Sequence, residues 1–216
     1  MANMLGLLYL ASPTLPIGSF AYSQGLEKAI DNNFVFDKDS LMTWCHDFMS
    51  IGLAQLDLVL LEHIQEAIKK RDQQALERMN AKVFASRETA ELYAEELNLG
   101  QSLKRLITTQ SLNINELRLP EKPGFLIGYG WAAFALGLNT EEMKTAFLWS
   151  WLENQTAVAC KAIPLGQTDA QSILLASRPL ITELVCSPER ELFGSLPGQV
   201  LLSIQHETQY SRLFRS

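Results

Sequence analysis

A chain of 216 residues with 47% hydrophobic content is long enough to close one sizeable core and too apolar to be largely disordered. Its formal charge of −6, with 18 Lys and Arg scattered along it, argues against a nucleic-acid partner bound through a basic face. Cys45, Cys160 and Cys186 lie far apart without a C-x-x-C pair, which leaves no disulfide framework or zinc ribbon and suits a reducing compartment.

The first 26 residues carry no charge, but they lack a basic leader and two prolines interrupt them, so no export signal is expected. A short helix over 4–10 should stop at Ser12-Pro13. In the stretch ASPTLPIGSFAYSQGLE, residues 11–27, Pro13 and Pro16 fix φ and Gly18 permits a tight turn into a second helix over 19–30. Tyr22, Ser23, Gln24 and Glu27 would then share one and a half helical turns as a presented surface.

Asp37 or Asp39 caps a third helix whose stripe is Leu41, Trp44, Cys45, Phe48 and Ile51, with Gly52 a weak point. A helix over 54–70 turns Leu56, Val59, Leu60, His63, Ile64 and Ile68 inward, which makes His63 a core histidine. A segment over 75–84 precedes the capping sequence Ser86-Arg-Glu-Thr and a long helix to about Gln110. Residues 113–124 are the clearest loop.

The uncharged run 123–140 holds four glycines and is short for a membrane span, so a buried central helix over 125–138 is expected, with no membrane partner. Asn139 with Glu142 reads as a capping box for a helix through Met143, Phe147, Trp151 and Val158. Thr168 or Asp169 caps the next helix, and 180–185 suggests one more. From Ser187 the chain turns Gly/Pro-rich. Helical spacing recurs almost everywhere and no stretch alternates, so the expectation is an all-α, single-domain bundle of about eight to ten helices with a flexible C-terminal tail. The division is 1–186 for the bundle and 187–216 for the tail.

Complete catalytic sets do not emerge. Ala21-Tyr-Ser-Gln-Gly25 approaches the G-x-S-x-G elbow, but that elbow needs a preceding strand and an α/β sheet. His46, His63 and His206 have no i,i+3 or i,i+4 partner, so no metal cage is read and no cofactor is expected. His206, in a tail without an apolar face, is free to touch a passing metal or a partner. Glu95-Glu96 reads as a solvated face and Glu141-Glu142 as a helix start. Lys161, near Pro164-Leu-Gly-Gln167, suits a helix C-terminus. In the tail, Tyr210, Leu213 and Phe214 are apolar anchors between Arg212 and Arg215, suited to docking on a partner or back on the bundle.

Three blocks together resemble the urease accessory protein UreF family: LLYLASPTLPIGSFAYSQGLE over 7–27, PLGQTDAQ over 164–171 and HETQYSRLFRS over 206–216. The pieces Ser86-Arg-Glu-Thr, Leu99-Gly-Gln and Phe134-Ala-Leu-Gly137 follow the same order. The resemblance implies a non-catalytic, cytoplasmic, dimeric protein that helps deliver nickel to apo-urease, placed between the scaffold UreD (UreH) and the GTPase UreG. By that likeness the partner-binding positions are Pro13, Pro16, Gly18, Tyr22, Ser23, Gln24, Glu27, Lys161, Pro164, Gly166, Gln167, Asp169, His206, Glu207, Tyr210, Arg212, Leu213, Phe214 and Arg215. Two other roles compete with an adaptor: regulation of UreG hydrolysis through a cation such as Lys161 or Arg212, and direct nickel carriage.

Overall fold

The computed structural model describes residues 2–187 and 195–216, and among them every regular element is helical. Ten α-helices follow in chain order: α1 Ala2–Ala11, α2 Leu26–Asp31, α3 Lys38–Asp47, α4 Asp57–Lys69, α5 Gln73–Ala85, α6 Ala90–Thr109, α7 Phe125–Ala135, α8 Thr140–Ala162, α9 Gln167–Cys186 and α10 Pro197–Glu207. Pro188 and Gly194, part of the expected Gly/Pro-rich segment, lie outside the described residues.

The centre is α7, where eight consecutive residues from Leu126 to Ala133 are buried. Its glycines let neighbours come close: a Cβ on Gly130 would sit 2.8 Å from Ile64 of α4. From α6, Gly100 approaches the start of α7 so tightly that a Cβ there would lie 2.0 Å from the Pro123 carbonyl oxygen. Those contacts set α4, α6 and α7 side by side, and α8 closes the core beneath α1 and α9.

Local signals place most helix starts. Asp37 and Ser40 form a reciprocal cap on α3, Asp72 caps α5, Thr89 caps α6, and Asn139 with Glu142 forms the expected box on α8. Gly52 proves to be the weak point of a helix-like run: Phe48–Leu53 widens into a π-helical turn, which delays α4 to Asp57.

Several expectations are corrected. The helix expected over 19–30 is broken, because Gln24 and Gly25 both take positive φ and leave only a 3₁₀ turn at Ser19–Ala21 before α2. His63 is exposed rather than core; Gln65 takes the inward place, donating to the Leu138 carbonyl at 3.0 Å. The short helix expected over 180–185 is the second half of α9, which runs through Pro179. Leu175, whose carbonyl loses its helical partner there, lies on the exposed side of the helix. The helix α10, with Pro197 at its first position, falls where only a Gly/Pro-rich segment was read.

Candidate partner-docking site

The break between Ser19–Ala21 and α2 frees the main chain of residues 21–25 to bond elsewhere. Tyr22 adopts extended geometry, and its carbonyl accepts from Asn154 Nδ2 at 3.0 Å, while the Ser23 carbonyl accepts from Gln155 Nε2 at 3.3 Å. Both donors stand on α8. The first block is thereby stitched to the bundle.

Against this block lies the tail. The Arg215 amide donates to the Ala21 carbonyl at 2.8 Å, and the Ser23 amide donates to the Ser216 main-chain oxygen at 2.7 Å. The Ser23 hydroxyl donates to the same oxygen. Glu27 accepts from the amides of Leu213 at 2.7 Å and Phe214 at 3.0 Å. Phe214 is buried, and the Lys161 ammonium at the end of α8 lies 5.6 Å from its ring centroid.

The expectation for His206 is overturned, since its side chain is wholly buried. Its Nε2 lies 3.0 Å from Glu27 and its Nδ1 lies 2.8 Å from Glu91 of α6. Glu91 also accepts from Arg212 at 2.8 Å. One turn further along α6, Glu95 accepts from the Ser216 hydroxyl at 2.8 Å and from Gln24 Nε2 at 2.7 Å. Gln24 in turn accepts from Trp151 Nε1 at 2.7 Å, so a continuous chain of hydrogen bonds runs from α8 to the tail.

The pair Glu95-Glu96, expected on a solvated face, is buried as well. Burial pushes the Glu95 carboxyl up to about 7, although Gln24 and Ser216 bond it. Glu96 instead accepts from the Leu126 amide at 3.0 Å and pairs with Arg87. Burial works against the Arg87 charge, yet Asp57 at 2.7 Å and Glu96 at 2.8 Å hold it still more firmly protonated. This knot borders a cavity of about 180 Å³ whose walls include Phe48, Phe125, Phe147 and Trp151.

The structure gathers Ser23, Gln24, Glu27, Lys161, His206, Arg212 and Phe214 into one neighbourhood, with Tyr22 buried beside it and Asn98 donating to the Tyr22 hydroxyl at 3.2 Å. The Glu207 carboxylate accepts from the Ala90 amide at 3.0 Å. Gly18 takes a left-handed turn with open space around it. Pro13, Pro16, Pro164, Gly166 and Gln167 are exposed, and Asp169 lies 3.7 Å from Lys38. Tyr210, Leu213 and Arg215 point to solvent. Glu91, and Asn154 with Gln155, escaped the sequence reading, which placed Glu95 on a solvated face. Glu91 and Glu95 stand four residues apart in a helix, which puts them on one face, and that spacing was the available signal.

Chemically, this is an arrangement for holding a chain segment. The Ser23 hydroxyl is buried and spent on the tail, and among the described residues no three His, Cys, Asp or Glu side chains are grouped to hold a metal ion. No described helix is long and apolar enough to cross a membrane. The fold and site define an all-α protein that holds residues 213–216 against the bundle beside an exposed surface.

A family model for UreF matches residues 35–178. Proteins named Urease accessory protein UreF from Chromohalobacter salexigens and Marinobacter nauticus are each 42% identical over 217 residues, covering 99% of this chain and 94% of theirs. The one from Hahella chejuensis is 40% identical, covering 99% of this chain and 98% of its own. The chain belongs to the urease accessory protein UreF family.

Proposed function

We propose that this chain is a cytoplasmic, homodimeric adaptor in nickel insertion, bridging the scaffold UreD (UreH) and the GTPase UreG so that nickel reaches apo-urease. The observation that carries the reading is the meeting of the first and last of the three sequence blocks on one face, Ser23 and Glu27 against residues 206–216, with Lys161 at the end of α8 beside them. Beside it the tail leaves Tyr210 and Leu213 exposed as apolar surface for a partner.

An adaptor is favoured over a regulator that inserts a cation into the UreG site. Arg212 is held by Glu91 and Lys161 lies over Phe214, so each would have to leave a partner first. An arginine finger changes hydrolysis by about 10³- to 10⁵-fold. Near-normal single-turnover rates with Arg212→Ala and Lys161→Ala would therefore remove the inserted-cation role.

The direct test is light scattering after size exclusion of this chain alone, with UreD, and with UreD, UreG and GTP. The expected result is a dimer that recruits UreD and then UreG. Full assembly by a chain lacking residues 206–216 would overturn the role of the tail, and nickel retained by this chain alone in equilibrium dialysis would favour direct carriage.

A further inference from the structure

The cavity beside the Arg87 knot is lined by groups that the fold itself leaves unused. Tyr129 of α7 is 1% exposed, yet its hydroxyl has no hydrogen-bond partner. The Ser150 hydroxyl close by is turned to the Phe147 carbonyl, to which it donates at 3.0 Å. A buried hydroxyl without a partner weakens the fold that holds it, and a molecule that bonds it recovers the loss.

The charge of the lining is one-sided. Among the described residues it carries five carboxyl groups, Asp57, Glu88, Glu95, Glu96 and Glu153, against one cation, Arg87. Arg87 is spent on Asp57 and Glu96. Glu95 is bonded to Gln24 and Ser216, and Glu88 stands exposed, where it accepts from the Ser195 hydroxyl at 3.1 Å. That leaves Glu153, half-buried on α8 and without an ion pair among the described residues. Burial raises its carboxyl, as it does for a charge that lacks a partner, and only the Trp149 side chain works the other way.

The remaining walls are aromatic. Tyr129 meets Phe147 edge to face with ring centroids 5.5 Å apart, and Phe48 lies 4.8 Å from Trp151. Ser150 and Glu153 stand three residues apart on one face of α8, which brings the unpaired carboxylate and the Tyr129 hydroxyl to the same space. An ammonium group answers all three features: it is drawn to ring faces, pairs with a carboxylate and donates to a phenol oxygen. An anion would be repelled, and a neutral molecule would leave Glu153 without a counter-charge.

We propose that this cavity binds a small free organic cation, an ammonium carried on one ring-sized apolar body, with its head between Glu153 and the Tyr129 hydroxyl and its body against the aromatic walls. The size agrees. A cavity of about 150 Å³ takes one benzene ring, and this one measures about 180 Å³. The site is independent of the adaptor reading.

The test uses the full chain with benzylammonium at pH 7 and benzyl alcohol as the neutral molecule of the same shape. Binding is followed by NMR through the amides of Tyr129 and Ser150 and the indole N–H of Trp151. The expected result is saturable shifts at these groups with a Kd below about 1 mM, well within the ceiling for a ligand of about eight non-hydrogen atoms. Benzyl alcohol should bind at least about tenfold more weakly. Equal binding of the alcohol, or shifts that never saturate and scatter over surface carboxylates, overturns the proposal.

Tyr129→Phe should hold the cation at least about tenfold more weakly and melt no lower than the unaltered chain, because the hydroxyl it removes had no partner. A melting temperature lower by more than about 4 °C would show a hydroxyl already bonded, and sinks the proposal. Glu153→Gln should weaken benzylammonium and spare benzyl alcohol; a loss common to both would reflect shape alone and counts against the site. A last arm identifies the source of the cation. Benzylammonium retained when UreD and UreG are added supports a free ligand, and its release as one of them binds overturns that source in favour of a partner's cationic side chain. The measurements on the chain alone can fail without touching the adaptor reading, which the assembly experiment addresses.

Discussion

Glu27 and His206, 179 positions apart in the chain, meet at 3.0 Å, and the same Glu27 carboxylate accepts the amides of Leu213 and Phe214. One side chain on a six-residue helix therefore joins α10 and the tail to the first block. Glu27→Gln leaves a single acceptor oxygen for three donors. The expected cost is about 3 kcal/mol in urea unfolding, because buried donors lose a charged partner. A loss below about 1 kcal/mol would mean that the clamp contributes little to the fold.

Arg87 is the cation of a buried knot with Asp57 and Glu96. Arg87→Met strands two carboxylates, and a loss of about 3 to 5 kcal/mol is expected. Adding Glu96→Gln to that variant should recover part of it. The comparison is made by equilibrium denaturation of the single and double variants.

Gly100→Ala should destabilise despite the better helix propensity of alanine. The added methyl would meet the Pro123 carbonyl oxygen at 2.0 Å, against main chain that cannot rotate away. A net loss of at least about 2 kcal/mol is expected. Gly166→Ala is the control, since its nearest neighbour is the Asp169 carboxylate at 3.9 Å, and its midpoint should scarcely move.

The buried Glu95 makes the fold sensitive to pH. Its folded-state value near 7 stands above the ordinary 4.5, so the associated stability is fully present below about 4.5 and is lost as pH rises through 7. Glu95→Gln keeps an acceptor for Gln24 and a donor for Ser216 while removing the titration. It is expected to be more stable than the unaltered chain at pH 8, by at most about 3 kcal/mol, and to lack that part of the pH dependence. Thermal melts at pH 5 and pH 8 measure both.

Tyr210 and Leu213 are exposed in the free chain. Tyr210→Asp with Leu213→Asp should leave the melting temperature within about 2 °C while weakening UreD capture by more than tenfold, as loss of hot-spot anchors does. Equal capture by the double variant would move the docking surface elsewhere.

Much of the local structure was legible because it is written in short-range chemistry. The caps Asp37, Asn139 with Glu142, and the Ser86–Thr89 stretch act within one helical turn, and the apolar periodicity of α3, α4, α6 and α8 needs no partner to be read. The break at Gln24 and Gly25 was not legible, since a positive φ at Gln24 is stabilised by bonds to Glu95 and Trp151 that lie 71 and 127 positions away. His63 and Gln65 exchange roles for a similar reason: the carbonyl that satisfies Gln65 inside belongs to Leu138, 73 positions away.

The sequence by itself determined an all-helical chain, its family, and the three blocks that matter, because periodicity, capping and motif order are properties of neighbours along the chain. Only the tertiary structure decided that the first and last of those blocks meet, that Glu95, Glu96 and His206 are buried, and that the tail lies closed on Ser23 and Glu27. A buried carboxylate and a surface carboxylate are the same letters in sequence. What separates them is the removal of water, and packing of distant segments alone achieves that.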